Sequence, residues 1–152
     1  MTRKLAIALR VCLGLVFLYA AYTKLRQPWL LFAMSIDAYQ ILPSWAALAV
    51  ARVLPWAELM LGLLLVSGKF LRYAAPAVSV LLVGFYAAML RAYYEGAGID
   101  CGCFGVGEAV SLLTLARDGV LLAASLILTF LVLSADRLRR SPVHDAQTSL
   151  MR

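Results

Sequence analysis

Four stretches of the chain are apolar over the length of a membrane crossing, and this decides the fold class. They run over about Leu5–Lys24, Trp45–Ser67, Tyr73–Tyr94 and Val110–Ser134. A helix needs about 20 mostly apolar residues to cross the hydrocarbon core, where every backbone N–H and C=O must find its partner within the protein. None of the stretches alternates polar and apolar residues as a strand would. The reading is all-α: an integral membrane four-helix bundle whose surface faces the lipid bilayer. Of 152 residues, 64% are hydrophobic and 14% charged, against roughly 25% charged in a soluble domain. Residues 1–136 form one membrane domain, and residues 137–152 are expected to be a basic, disordered cytoplasmic tail. Thr2-Arg3-Lys4 would suit the start of a signal peptide. Arg10 interrupts the apolar run, however, and the run is long, which favours a retained helix.

The loop charges predict an orientation, because Lys and Arg are held on the cytoplasmic side. One side would carry Arg3, Lys4, Arg10, Lys69, Arg72, Arg137, Arg139, Arg140 and Arg152. The other would carry Lys24, Arg26 and Arg91 together with Asp37, Glu95, Asp100 and Glu108. Both termini are therefore expected inside, in a cell inner membrane. The net charge of +6 reads as this bias plus attraction to anionic lipid, not as nucleic-acid binding.

Two segments are expected outside. The stretch WLLFAMSIDAYQIL, from Trp29 to Leu42, lies between Pro28 and Pro43 and is too short to cross. It is expected to be a short helix lying flat at the interface, as a lipid-resting connector more than a substrate lid. The second segment, EGAGIDCGCFGVGEAV, is a glycine-rich loop holding Cys101 and Cys103. With one residue between them, a disulfide would close a small strained ring, the reducible and exchange-competent kind. Three other readings compete: a structural clip, small residues in a tight turn, and two metal ligands. The metal reading is weakest, because zinc needs further ligands and the sole histidine, His144, belongs to the tail. Cys12, inside the first stretch near its cytoplasmic end, is expected to be a buried, inert packing residue.

Ionisable groups inside a membrane are costly and usually paired. The outer half of the bundle is expected to hold Lys24, Arg52, Arg117 and Asp118, with Glu58 deeper. Arg10, Gly14, Phe17, Ala21 and Lys24 share one helical stripe, and Glu58 stacks with Pro55 and Gly62. One reading of these charges is an ion-pair network that fixes helix register. The other is a polar pocket, in which basic groups raise the thiolate fraction of a cysteine and Glu58 or Asp118 relays protons. Catalytic candidates are Cys101, Cys103, Glu58, Arg117 and Asp118. Candidates for holding a membrane carrier, a quinone being the one considered, are Lys24, Arg52 and Tyr86. No metal site is expected.

The segments RVCLGLVFLYAAYTKL (Arg10 to Leu25), PWAELMLGLLL (Pro55 to Leu65), DCGCFG (Asp100 to Gly105) and LARDGVLLA (Leu115 to Ala123) resemble the MauE branch of the DoxX-like membrane family. The CGCFG element is the specific part, and the family pattern often has Asn where this chain has Asp118. The resemblance implies four spans, an outer CxC loop, and a role in maturing the disulfide-rich small subunit of methylamine dehydrogenase. Wider relatives imply thiol oxidation linked to quinone. The expected function is a membrane thiol–disulfide redox protein that exchanges electrons between a periplasmic or secreted thiol protein and a membrane carrier. A non-catalytic assembly factor that docks a client subunit and a small-solute transporter are the alternatives, and homo-oligomerisation is left open.

Overall fold

The computed structural model describes residues 2–96 and 109–150. It contains five helices among the described residues: α1 (Thr2–Arg26), α2 (Trp29–Ala38), α3 (Ser44–Ser67), α4 (Leu71–Tyr94) and α5 (Leu112–Leu150). Four of them are long and apolar enough to cross a membrane, over Lys4–Arg26, Ser44–Ser67, Leu71–Tyr94 and Leu112–Arg137. The fold is thus an all-α four-helix membrane bundle with one short additional helix. α5 continues to Leu150, where the charge run suggested a separate disordered tail.

The bundle consists of two helical hairpins. α1 packs mainly on α3 and α4 mainly on α5, while α1 with α5 and α3 with α4 close the ring. The core between the hairpins is formed by Leu13, Phe17, Leu65, Ala74, Ala75, Val78 and Leu128. Large apolar side chains such as Trp45, Trp56, Val80, Leu113 and Phe130 point outward. In water such a surface would aggregate; in a bilayer it matches the acyl chains.

The α1–α3 contact is close because both helices present glycine at the crossing. A Cβ on Gly14 would lie 2.6 Å from Val66 Cγ2 and 3.1 Å from the Gly62 carbonyl oxygen, and one on Gly62 would lie 3.0 Å from the Gly14 carbonyl oxygen. Small residues let backbones approach where apolar burial supplies no drive between helices. The α4–α5 contact uses hydroxyls instead. Ser79 Oγ lies 3.2 Å from Ser125 Oγ and 2.9 Å from Thr129 Oγ1, and it also donates to the Ala75 carbonyl. Such interhelical hydrogen bonds are favourable in lipid because no water competes for them.

Of the segment between the prolines, Trp29–Ala38 is helical and rests on protein, whereas residues 39–42 turn back toward α3 and extend no helix to Leu42. Phe32 and Ala33 of α2 are buried against Ala51 and Leu54 of α3. The chain leaves α2 through Gln40 in the left-handed region, at φ 51. The Gln40 side-chain amide stabilises that turn by donating to the Asp37 carbonyl at 2.9 Å. α5 starts with a reciprocal cap: the Ser111 N–H donates to Thr114 Oγ1 at 2.8 Å, and the Thr114 N–H donates to Ser111 Oγ at 3.3 Å. Two of the orphan donors at the helix start are satisfied in this way.

Candidate functional site: a buried ion pair beside a small polar cavity

The last turn of α1 and the middle of α3 place opposite charges face to face. Lys24 Nζ donates to both Glu58 carboxylate oxygens, at 2.9 and 3.0 Å. Both side chains are almost fully enclosed, at 1% and 5% exposure. The Phe32 ring of α2 covers the ammonium, 5.5 Å from its centroid. The connector helix therefore closes the flank of the ion pair. A buried charge is tolerable only with such partners, since desolvation costs several kcal/mol per ion (of order 3–5 when a partner is removed).

Beneath the pair lies a small cavity of about 30 Å³, lined by Glu58, Asp118, Tyr86, Phe17, Phe85 and Leu121, among others. This is room for one or two waters, since a water needs about 10–15 Å³ of such space and two to four polar partners. Asp118 is buried and accepts a hydrogen bond from Arg117 Nε at 3.1 Å. Tyr86 rests over Gly119 of α5, where an added Cβ would sit 3.5 Å from the phenol oxygen. Residues from α3, α5 and α4, two carboxylic acids and a tyrosine, thus border one small space.

The structure brings together most of the intramembrane charges expected from the sequence, with one exception. Lys24, Glu58, Asp118 and Tyr86 meet around the pair and its cavity, and Arg117 joins through Asp118. Arg52 does not join them. Its guanidinium is exposed and stacks on the Trp29 ring, 4.4 Å from the centroid, in a groove with Leu48 and Ala49. Arg52 and Glu58 are six residues apart on α3. At about 100° per residue they face directions roughly 120° apart. Arg91 is also an outer-surface group, paired with Glu95 at 2.7 Å. Cys101, Cys103 and Phe104 lie outside the described residues, and Cys12 is exposed on α1.

A second, larger cleft of about 500 Å³ opens between α2, α3 and α4, walled by Phe32, Ile36, Val50 and Ala88 with Tyr39 and Arg91 among its polar lining. Leu81 and Phe85 line both this cleft and the small polar cavity. Two side chains thus separate an apolar space from the Glu58 carboxylate. No local sequence pattern marks this cleft, or Phe32 as the cover of Lys24, because both depend on how α2 folds back onto α3. Among the described residues no group of three or more His, Cys, Asp or Glu is placed to hold a metal ion.

Comparison with known proteins adds to this geometry. The family model for the methylamine utilisation protein MauE matches residues 2–131. The methylamine utilization protein MauE of Paracoccus denitrificans is 38% identical over 122 residues, which cover 78% of this chain and 65% of that protein. The match therefore spans a little under two thirds of that relative's length. No solved structure gives a significant match to the chain.

Proposed function

Because the chain belongs to the MauE family, whose model covers residues 2–131, we propose that it serves the maturation of methylamine dehydrogenase or a comparable disulfide-rich enzyme. Its chemistry in this reading is thiol–disulfide exchange at Cys101 and Cys103, within a periplasmic loop of an inner-membrane protein with both termini inside. In the oxidising direction, a client thiolate attacks the Cys101–Cys103 disulfide and forms a mixed disulfide. The second client thiol then displaces it, leaving an oxidised client and a reduced cysteine pair. Two electrons and two protons pass on to a membrane quinone, which becomes quinol, and the pair is restored.

The observation that carries this reading is the pair of carboxyl groups, Glu58 and Asp118, on a water-sized cavity, with Lys24 bonded to Glu58. Ionisable groups in a membrane interior are a functional site by default. Two protons must move whenever a dithiol exchanges electrons with a quinone, and a carboxylate pair bordering water supplies a path for them. The apolar cleft behind Leu81 and Phe85 suits a flat apolar carrier. The family match also includes the loop that carries both cysteines.

The test is a redox titration of the purified protein in lipid, read by thiol alkylation and mass. A reversible two-electron midpoint between about −120 and −270 mV supports exchange chemistry. A bond that resists reduction below about −300 mV, or thiols that never pair, overturns it and leaves a docking role for the loop.

A further inference from the structure

The opposite end of the bundle holds a charge that the proposed redox chemistry does not use. Arg10 lies two turns into α1, and its Nε is buried with no hydrogen-bond partner among the described residues. Among the described residues this side chain makes no other hydrogen bond or ion pair. The guanidinium lies against the backbone of Gly68, in the space that a β-carbon there would occupy. Gly68 caps α3 in the left-handed region, at φ 73 and ψ 12, and its N–H donates to the Leu64 and Leu65 carbonyls. The negative end of the α3 dipole therefore attracts the guanidinium. No α3 carbonyl takes its Nε–H.

Arg10 borders a cleft of about 580 Å³ between α1, α4 and α5. Arg72 lines the same cleft and is ion-paired with Asp136 at 3.2 Å. With Asp136 balanced by Arg72, Arg10 leaves the cleft one positive charge in excess. The remaining walls include Ile7, Leu71, Leu128 and Val132, all apolar. A cation in a cleft lined by both charged and apolar side chains, near the end of four membrane spans, is complementary to a group with a negative head and a hydrocarbon body.

We propose that this cleft binds a phosphate group, with Arg10 as its principal donor and Arg72 as its second, and that the phosphate is that of an anionic glycerophospholipid. The fork of a guanidinium matches phosphate oxygens, and in a medium of low dielectric each charge-assisted bond is strong. The acyl chain would run along Leu71, Leu128 and Val132. Basic pockets between membrane helices are a recurrent place for such head groups.

The experiment measures the unfolding midpoint and the lipid retained by the full chain in mild detergent. The titrants are phosphatidylglycerol, phosphatidylcholine and inorganic phosphate. Phosphatidylglycerol is expected to raise the midpoint saturably and to remain bound in native mass spectra. R10Q is expected to weaken the half-saturating concentration about tenfold or more, the value of one lost charge-assisted bond. R10K should recover part of it. Ala135→Trp narrows the cleft from an exposed wall position and retains both arginines, so it reports on the site even if R10Q does not fold. Arg26→Gln, at the other end of α1, should leave the shift unchanged. Equal shifts in wild type, R10Q and Ala135→Trp would overturn the proposal, as would equal shifts with phosphatidylglycerol and phosphatidylcholine. A saturable, Arg10-dependent shift with inorganic phosphate alone would support the phosphate site and assign it to a free anion in place of a lipid.

Discussion

Lys24 Nζ sits between the two carboxylate oxygens of Glu58, 2.9 and 3.0 Å from them, and α2 covers the ammonium with the Phe32 ring. Removing one partner strands the other charge in a dry interior. Lys24→Met or Glu58→Leu alone should each cost about 3–5 kcal/mol, whereas the double variant should be much closer to wild type. Unfolding titrations in detergent measure both. If the pair only fixes helix register, the double variant keeps activity. If Glu58 moves protons, activity is lost although the fold survives.

The Gly14–Gly62 crossing makes a sharper packing prediction. Gly14→Ala puts a methyl 2.6 Å from Val66 Cγ2 and close to a backbone carbonyl that cannot move away. It should destabilise the chain by about 1–3 kcal/mol. Gly84→Ala, on α4, meets nothing within 4 Å and should be neutral or mildly stabilising. The same unfolding titration compares the two, and equal effects would remove close approach as the role of Gly14.

Ser79 tests the hydroxyl cluster between α4 and α5. Ser79→Ala removes its contacts to Ser125 and Thr129. The expected loss is about 0.6 kcal/mol and not more than about 1.7, the range for such bonds in lipid. A loss well above this in the unfolding midpoint would mean that the cluster holds more than two helices together.

Asp118→Asn keeps an oxygen for the Arg117 Nε donor but removes the acid beside the small cavity. Asp118→Leu removes both. If Asp118 only anchors Arg117, Asn should retain client maturation and Leu should impair it. Equal impairment by both would assign the carboxyl group itself a role. The assay is the amount of correctly disulfide-bonded client recovered from the periplasm.

Much of the architecture was legible from hydropathy alone. Membrane helices must satisfy their own backbones, so four apolar stretches leave few folds to choose from. Proline at positions 28 and 43 likewise marked the starts of α2 and α3. The site was legible in part. Lys24 and Glu58 could be assigned to inward stripes, but their pairing is a relation between two helices. It depends on the rotation that the Gly14–Gly62 contact imposes, and no local pattern encodes that angle. Arg52 was grouped with them by depth, although its angular position on α3 already separated it from Glu58. The unpaired Arg10 was hidden for a similar reason: on α1 it continues the stripe that ends at Lys24, and only the fold shows that one arginine meets a helix terminus while the lysine meets a carboxylate.

The hairpin organisation also bears on how the chain enters the bilayer during synthesis. Lys24 and Glu58 belong to consecutive spans, α1 and α3, and meet without help from the later half of the protein. Glu58, near the middle of α3, would alone resist partitioning from the translocon, at roughly 2.5–3.5 kcal/mol for a charged residue at mid-membrane. Lys24 lies in the last turn of α1 and neutralises that carboxylate once both spans have emerged. The pair therefore lowers the cost of inserting α3 before α4 has been translated.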